Sequence, residues 1–460
     1  MRRAQTVFGS SELRGRVFGT LLIGCFSFSA YGADLLDIYS LALRNDPTFE
    51  VARYTFKAAR EKYPQAVAGL LPTVNANGAN NVTHALNQLS NAPIFSRDVH
   101  AWNWSLQLTQ PLIRMQNVYA YNEAKVVLEQ AQAQYNLAEQ DMILRITQAY
   151  FGVLASREGI KVAEAELSAT EEQLELAKHG FDLGVAAITD VHEGQSRADL
   201  ARSHLVAAQN ELDAKSAELG KIVDEVPEHL SALGTTVAIP PPQPYDQKVW
   251  IKQARENNPA VRAAQSGLLV AEAAVGKTRA EHTPTLDLVA SYGENYSSGS
   301  TTLPTDFASR GQNRQVGVQF TIPLFAGGGT SSHVAEVMAN KYRAGAELEV
   351  AQRQAATDAR TAFAGVVNGL SQITALESAV VSSQSAISGN LAGYKLGIYK
   401  NIDVLNAEQQ FYTSKRDLVK ARYDTLFQAL KLKAAAGILS GEDMISTNAL
   451  LVQEQIGIVR

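Results

Sequence analysis

The chain has 460 residues, of which 46% are hydrophobic and 19% charged, with a formal balance of −5. That apolar content supports sizeable cores but excludes a polytopic helical membrane protein, and the missing basic excess excludes a surface that neutralises nucleic-acid phosphates. No nucleic acid is expected as a partner.

Arg2, Arg3, Arg14 and Arg16 precede the apolar run Val17 to Phe28, and small residues continue through Ala33, so residues 1–33 read as a signal peptide cleaved after Gly32 or Ala33. Its removal leaves 37 basic against 45 acidic residues, a balance of −8. Cys25 follows Leu22-Ile23-Gly24 and has two readings, a lipoprotein anchor or a chance cysteine within the leader; as the only cysteine it can form no disulfide within the chain. No later stretch offers the roughly 18 unbroken apolar residues of a spanning helix, so any membrane passage must use strands.

Past the leader the chain repeats one plan at an offset of about 212 residues. Asn45-Asp46-Pro47 matches Asn257-Asn258-Pro259, Pro72 matches Pro284, Pro111 matches Pro323, Leu183-Gly184 matches Leu396-Gly397, and Asp190-Val191 matches Asp403-Val404. The first copy covers 34–226 and the second 246–440; the proline-rich segment 227–245 joins them as an extended connector, and 441–460 is a C-terminal tail.

Each copy opens on apolar residues at helical spacing, predicting one moderate helix over 34–62 and another over 246–279. Alternation then predicts a hairpin over 73–110 and a second over 285–322. Val74 and Ala76, then Trp102, Trp104, Leu106 and Leu108, have counterparts in Leu286, Leu288, Ala290 and Tyr292, then Val316, Val318 and Phe320. An ordinary half-buried hairpin has the same period. Two features favour strands in lipid: runs of about ten residues suit a tilted crossing, and the joining segments 83–101 and 297–313 are long and polar.

Proline is then absent for 115 residues from Leu112 to Val226 and for 137 from Leu324 to Arg460. Helices are predicted over 117–179 and 190–223, with a turn at 180–187, and over 329–392 and 402–437, with a turn at 393–401. A helix of about 63 residues is roughly 95 Å long, so each return helix must stack end to end with a moderate helix to cover it. Ala131, Ala133, Ala138 and Ala149 thin the apolar seam, which suits either a solvent-exposed coiled coil or a wall of close-packed helices.

Four strands per chain cannot remain an open sheet in lipid. Two chains would close eight strands around a filled interior, whereas three close twelve around a lumen. The predicted fold is therefore an α+β membrane protein: a trimeric transmembrane β-barrel continuous with a long α-helical barrel, built on an internal two-fold repeat. Pro111 and Pro323 mark the barrel-to-helix corners, and Gly327-Gly328-Gly329 is a flexible corner rather than a phosphate loop, because no lysine follows it.

With its duplicated plan, its Pro-Leu corners, and the turn motifs Phe181 to Val191 and Gly393 to Gly397 continuing to Ala407, the chain resembles the TolC family of outer-membrane exit ducts over essentially all of the mature sequence. The resemblance implies an outer-membrane location with the helical part in the periplasm, and a periplasmic tip formed by the turns at Gly184 and Gly397. It implies that Thr189, Asp190 and Tyr394 hold the tip shut and that Asp403 lines the narrowest point. This chain departs from the family pattern at the second ring position, which is Asn406, and at the usual lock arginine, which is Tyr399 with Lys400 beside it. Asp190 and Asp403 also stand where carboxylates cap helices, so capping is the competing role for both.

The partners implied are two further copies of the chain, outer-membrane lipid, a periplasmic adaptor and an inner-membrane ABC exporter, the last giving type I secretion of an unfolded protein of the RTX toxin or protease type. A proton-driven multidrug efflux pump is the alternative to the exporter, and a trimeric surface adhesin is a distant alternative function. No catalytic constellation, cofactor motif or metal spacing stands out; His179 and His192 merely flank the first turn.

Overall fold

The structure, a computed structural model, describes residues 33–88, 93–234, 238–302 and 307–452. Cys25 and the leader through Gly32 lie outside the described residues. In chain order the first half contains α1 (Leu35–Asn45), α2 (Pro47–Arg60), α3 (Lys62–Ala68), β1 (Thr73–Asn87), β2 (Phe95–Ile113), α4 (Met115–Asp182) and α5 (Ile188–Val223). After the short strand β3 (Ala232–Leu233) come α6 (Gln247–Asn257), α7 (Pro259–Arg279), β4 (Thr285–Ser297), β5 (Ser309–Thr321), α8 (Gly329–Lys395) and α9 (Asn401–Ala435). The chain then adds α10 (Gly441–Asn448) and β6 (Leu451–Val452).

The single helix expected over 34–62 is broken, and so is the one expected over 246–279. Pro47 has no N–H and drives the residue before it out of helical geometry. Asp46 accordingly adopts ψ 109° and caps the next helix, accepting from the Thr48 amide at 2.9 Å. Asn258 does the same before Pro259, with ψ 131° and a 2.8 Å bond from the Ala260 amide.

The strands outrun their predicted ends. β1 and β2 extend into the segment expected to be a polar loop, pairing as far as Asn87 with Phe95, and β4 and β5 pair as far as Ser297 with Ser309. Polar side chains did not stop them, because a ladder needs only backbone partners. β2 also runs past Pro111 to Ile113, with the register shifting between these residues, and such a bulge tolerates a residue that cannot donate. The two hairpins join through β2 and β4 into one antiparallel sheet of order β1-β2-β4-β5. β5 is exposed along both faces, as is β1 for most of its length, so no helix among the described residues covers these two strands.

α4 has 68 residues and α8 has 67, each about 100 Å long. The junctions between stacked helices are hydrogen-bonded alike in both halves: Asn45 Nδ2 donates to the Val223 carbonyl at 3.0 Å, and Asn258 Nδ2 donates to the Ala435 carbonyl at 2.9 Å. Each amide fills an acceptor that a helix C-terminus leaves open.

The main core lies around the middle of α4. Met142, Ile146 and Tyr150 pack with Leu35 and Ile38 of α1, Leu219 of α5, Leu426 and Leu430 of α9, and Met444 of α10. Tyr150 donates its hydroxyl to the Ser231 carbonyl at 2.8 Å. The connector is bound into this body: the Ala33 amide donates to His229 at 2.8 Å, the Ser231 amide donates back to Ala33 at 3.2 Å, and β3 pairs with β6. The C-terminal tail contains a helix and a short strand as far as Val452.

Asp46 is 3% exposed and its second carboxylate oxygen meets Arg145 at 2.8 Å. Asp46→Ala removes a helix cap and leaves Arg145 with only Asp141. The expected cost is about 2 kcal/mol, read as a lowered thermal midpoint of the detergent-solubilised protein, with Asp46→Asn losing about half as much because it keeps the cap.

Candidate functional site

The two turns at the far end of the helices share one construction. Gly184 has φ 75° and Gly397 φ 74°, the left-handed region that glycine enters without a Cβ clash. In the first turn the amides of Val185 and Ala186 donate to the Gly180 carbonyl at 2.9 and 3.1 Å, and in the second those of Ile398 and Tyr399 donate to Gly393 at 2.9 and 3.3 Å. Together with the bonds from Gly184 to Phe181 and from Gly397 to Tyr394, both 2.9 Å, these are Schellman closures of the outgoing helices. Gly393 leaves room for a neighbour instead: a Cβ there would lie 2.1 Å from the Tyr399 ring.

Both predicted carboxylates cap a returning helix. Asp190 Oδ2 accepts from the Ala187 amide at 3.2 Å, and Asp403 Oδ2 from the Lys400 amide at 3.0 Å. The capping bonds occupy one oxygen of each. Tyr394, at the end of α8, stands near Asp190 at the start of α5. Burial, and then the Asp190 charge, raise its phenol above the ordinary value, although no hydrogen bond joins the two within the chain. Thr189, Tyr399, Lys400 and Asn406 are exposed.

Two features above the turns had not been expected. Arg197 of α5 donates to Asn406 Oδ1 at 2.9 Å and to Gln409 Oε1, tying the two return helices together. His204 and Arg416 approach within 3.5 Å in the same way. Arg197 and Gln409 are 212 positions apart, as are His204 and Arg416, so the repeat offset itself signals that α5 and α9 lie side by side in register. The second feature is Glu408, 5% exposed, whose Oε2 has no partner among the described residues. It borders a cavity of about 30 Å³, room for a single water, lined also by Glu166, Arg197 and His204. Burial, and then the charge of Glu172, push its carboxyl up to about 7.

At the opposite end of the molecule the sheet meets the long helices. Pro111 lies within β2 two residues before its end, whereas Pro323 lies in the connector 322–328 before α8. Gly327 at φ 62° and Gly328 at φ 82° turn that connector into the helix. Arg114, just after β2, pairs with Asp287 of β4 at 2.5 Å and so fixes the first junction. Across the four strands Leu106 faces Ala76 and Tyr292, Leu108 faces Val74 and Ala290, and Leu288 faces Val318, so one face of the sheet is an apolar band.

A carboxyl held near 7 by its surroundings binds a proton in the native state that an unfolded chain releases below about pH 5. Glu408 therefore takes stability away as pH rises from about 5 to 7, and its full cost, on the order of 3 kcal/mol, is present above that window. Glu408→Gln is expected to match the wild type in thermal midpoint near pH 5 and to exceed it at pH 8. Parallel midpoint curves across that range would show that Glu408 does not carry this cost.

The family model described as outer membrane efflux protein matches residues 38–223 and 250–438. The chain is similar to outer membrane protein TolC of Vibrio cholerae, with 29% identity over 434 residues, covering 94% of this chain and 97% of that protein. It is also similar to the alkaline protease secretion protein AprF of Pseudomonas aeruginosa, with 28% identity over 434 residues, covering 92% and 89% of the two chains. Among solved structures, the CmeC outer membrane channel of Campylobacter jejuni shares the fold with TM-score 0.75 and 15% identity, over 96% of this chain and 98% of that one. The family comprises channels rather than enzymes. The chain belongs to the outer membrane efflux protein family, that of TolC, and is a channel protein of the outer membrane with its helical part in the periplasm.

Proposed function

We propose that the protein is a trimeric exit duct that carries an unfolded protein from an inner-membrane ABC exporter, through a periplasmic adaptor, to the cell exterior. The observation that carries the duct is the open four-stranded sheet, apolar on one face and joined at β2 and β5 to helices about 100 Å long. In lipid its two free edges need partners, and three chains place β5 of each beside β1 of the next to close twelve strands around a lumen. The internal two-fold repeat supplies two such hairpin-and-helix units per chain: 34–226 and 246–440 in this reading, joined by 227–245.

The likeness to a protease secretion protein over nearly the whole chain favours secretion as the task. The family model, described by efflux, favours the second reading, a proton-driven multidrug pump as the energy source. Deleting the gene and examining the culture medium separates them. Loss of an exported protein is expected; unchanged secretion with increased drug sensitivity would establish the pump reading instead.

In this reading the two turns are the closed tip, Asp403 and Asn406 line its constriction, and Thr189, Asp190, Tyr394, Tyr399 and Lys400 hold it shut. The proximity of Tyr394 to Asp190 supports the lock, and the free carboxylate oxygens of Asp190 and Asp403 leave capping and gating compatible. Tyr394→Phe combined with Asp190→Ala is expected to raise single-channel conductance severalfold in a planar bilayer. Unchanged conductance would assign both residues to helix capping alone.

A further inference from the structure

The apolar band of the sheet changes character toward the hairpin ends. Trp104 packs edge-on against Tyr292 with ring centroids 5.5 Å apart, and Trp102 stacks on Tyr296 at 5.8 Å. Over these rings lie two guanidinium groups of β5: Arg310 sits 6.0 Å from the Trp102 ring and Arg314 5.3 Å from that of Tyr292. Strand alternation places both arginines on the face that carries Val316, Val318 and Phe320. This is the lipid side in the barrel reading, on which the inference rests.

The depth is that of the outer half of the apolar band. Arg314 stands seven positions from Thr321, where β5 ends. At roughly 3.3 Å per residue and a tilt near 40°, that separation is about 18 Å along the membrane normal, past the middle of an apolar band about 25 Å tall, and the long arginine side chain reaches on toward the interface. The helices leave from the other end, so Arg314 belongs to the outer leaflet.

The two arginines differ in what satisfies them. Arg310 forms an ion pair with Glu294. Asp98, on the same face, bonds His84 at 2.6 Å. Arg314 makes no hydrogen bond or ion pair among the described residues. Closing the barrel supplies no carboxylate either, because β1, which would lie beside β5, contains neither Asp nor Glu. A guanidinium backed by an aromatic ring at the edge of hydrocarbon, with its donors unspent, complements a doubly accepting anion, and phosphate matches its fork.

We propose that Arg314, backed by Tyr292, is the phosphate-reading residue of a binding site for a phosphorylated lipid head group of the outer leaflet. Arg310, held by Glu294, flanks the site, and the Trp102–Tyr296 and Trp104–Tyr292 pairs receive the lipid at the height where its chains begin.

Native mass spectrometry of the detergent-solubilised full chain tests this, with bisphosphorylated lipid A and the same lipid stripped of its phosphates as probes. The phosphorylated probe is expected to remain bound about tenfold more than the stripped one, as one charge-assisted contact provides. Arg314→Gln is expected to abolish that ratio and Arg314→Lys to keep part of it, with inorganic phosphate in excess displacing neither lipid. Equal retention of the two lipids by the wild type would overturn the proposal, as would a wild-type ratio in Arg314→Gln or displacement by inorganic phosphate. If Arg314→Gln fails to assemble, the wild-type ratio decides alone. The same spectra give the mass of the assembly, so a protomer mass would overturn the barrel reading, distinct from failure of the lipid site within an intact trimer.

Discussion

A sheet edge cannot be left bare in hydrocarbon, and in the proposed barrel the rest of the molecule is arranged around that constraint. β1 and β5 end the sheet with their outward backbone groups unpaired within the chain. Because the edges belong to different halves, the chain presents a complementary pair, one from each hairpin. An ordinary soluble protein blunts its edges with charge, proline or a covering helix. Here β1 contains no Asp, Glu, Lys or Arg, and its faces are polar and apolar in alternation, so no fixed charge opposes pairing with another strand.

The helical part faces a different problem, since 100 Å helices with many alanines bury little per turn. The structure concentrates its large side chains near mid-length, where Tyr150, Met142 and Ile146 meet residues from both halves, and it folds the connector and the C-terminal helix over the same place. Along the rest of their length the helices rely on close approach and polar ties. The Asn45 and Asn258 bonds are part of this economy: each lets two short helices do the work of one long helix while leaving no bare carbonyl at the joint.

Much of this was legible because the repeat carries proline and glycine at matched positions. Gly184 and Gly397 predicted the turns, and the long proline-free stretches predicted α4 and α8 to within a few residues at each end. The helix breaks at Asp46 and Asn258 were equally readable from the prolines after them, yet helical periodicity on both sides masked them. Strand ends were misplaced for a different reason: polarity distinguishes a lipid-facing segment from a solvated one, but it does not stop a ladder, so β1 to Asn87 looked like loop. Arg197 and Glu408 carry no local signal, because what makes each notable is a helix more than 200 residues distant in one case and the joint burial by α4 and α5 in the other.

The end of the helices at the two turns and the mid-length core are consequently built to different standards of permanence. In the mid-length core the buried polar groups are met, Asp46 by an amide and Arg145, and Tyr150 by a carbonyl, whereas toward the sheet Arg53 Nε, Arg114 Nε and Asp287 Oδ1 are buried without a partner among the described residues. Near the two turns, Glu408 leaves water with one oxygen unmet, and both buried polar atoms of Asn401, the first residue of α9, are likewise unmatched among the described residues. Polar groups buried without partners favour whatever rearrangement rehydrates them. Separating α9 from α4 and α5 exposes Glu408 and returns its desolvation energy, so the buried carboxyl opposes the packing of these helices while the Arg197 tie and the capped turns maintain it. A seam held by a few exposed hydrogen bonds against a buried carboxyl is thus weaker than the mid-length core, where Asp46 and Tyr150 have their partners.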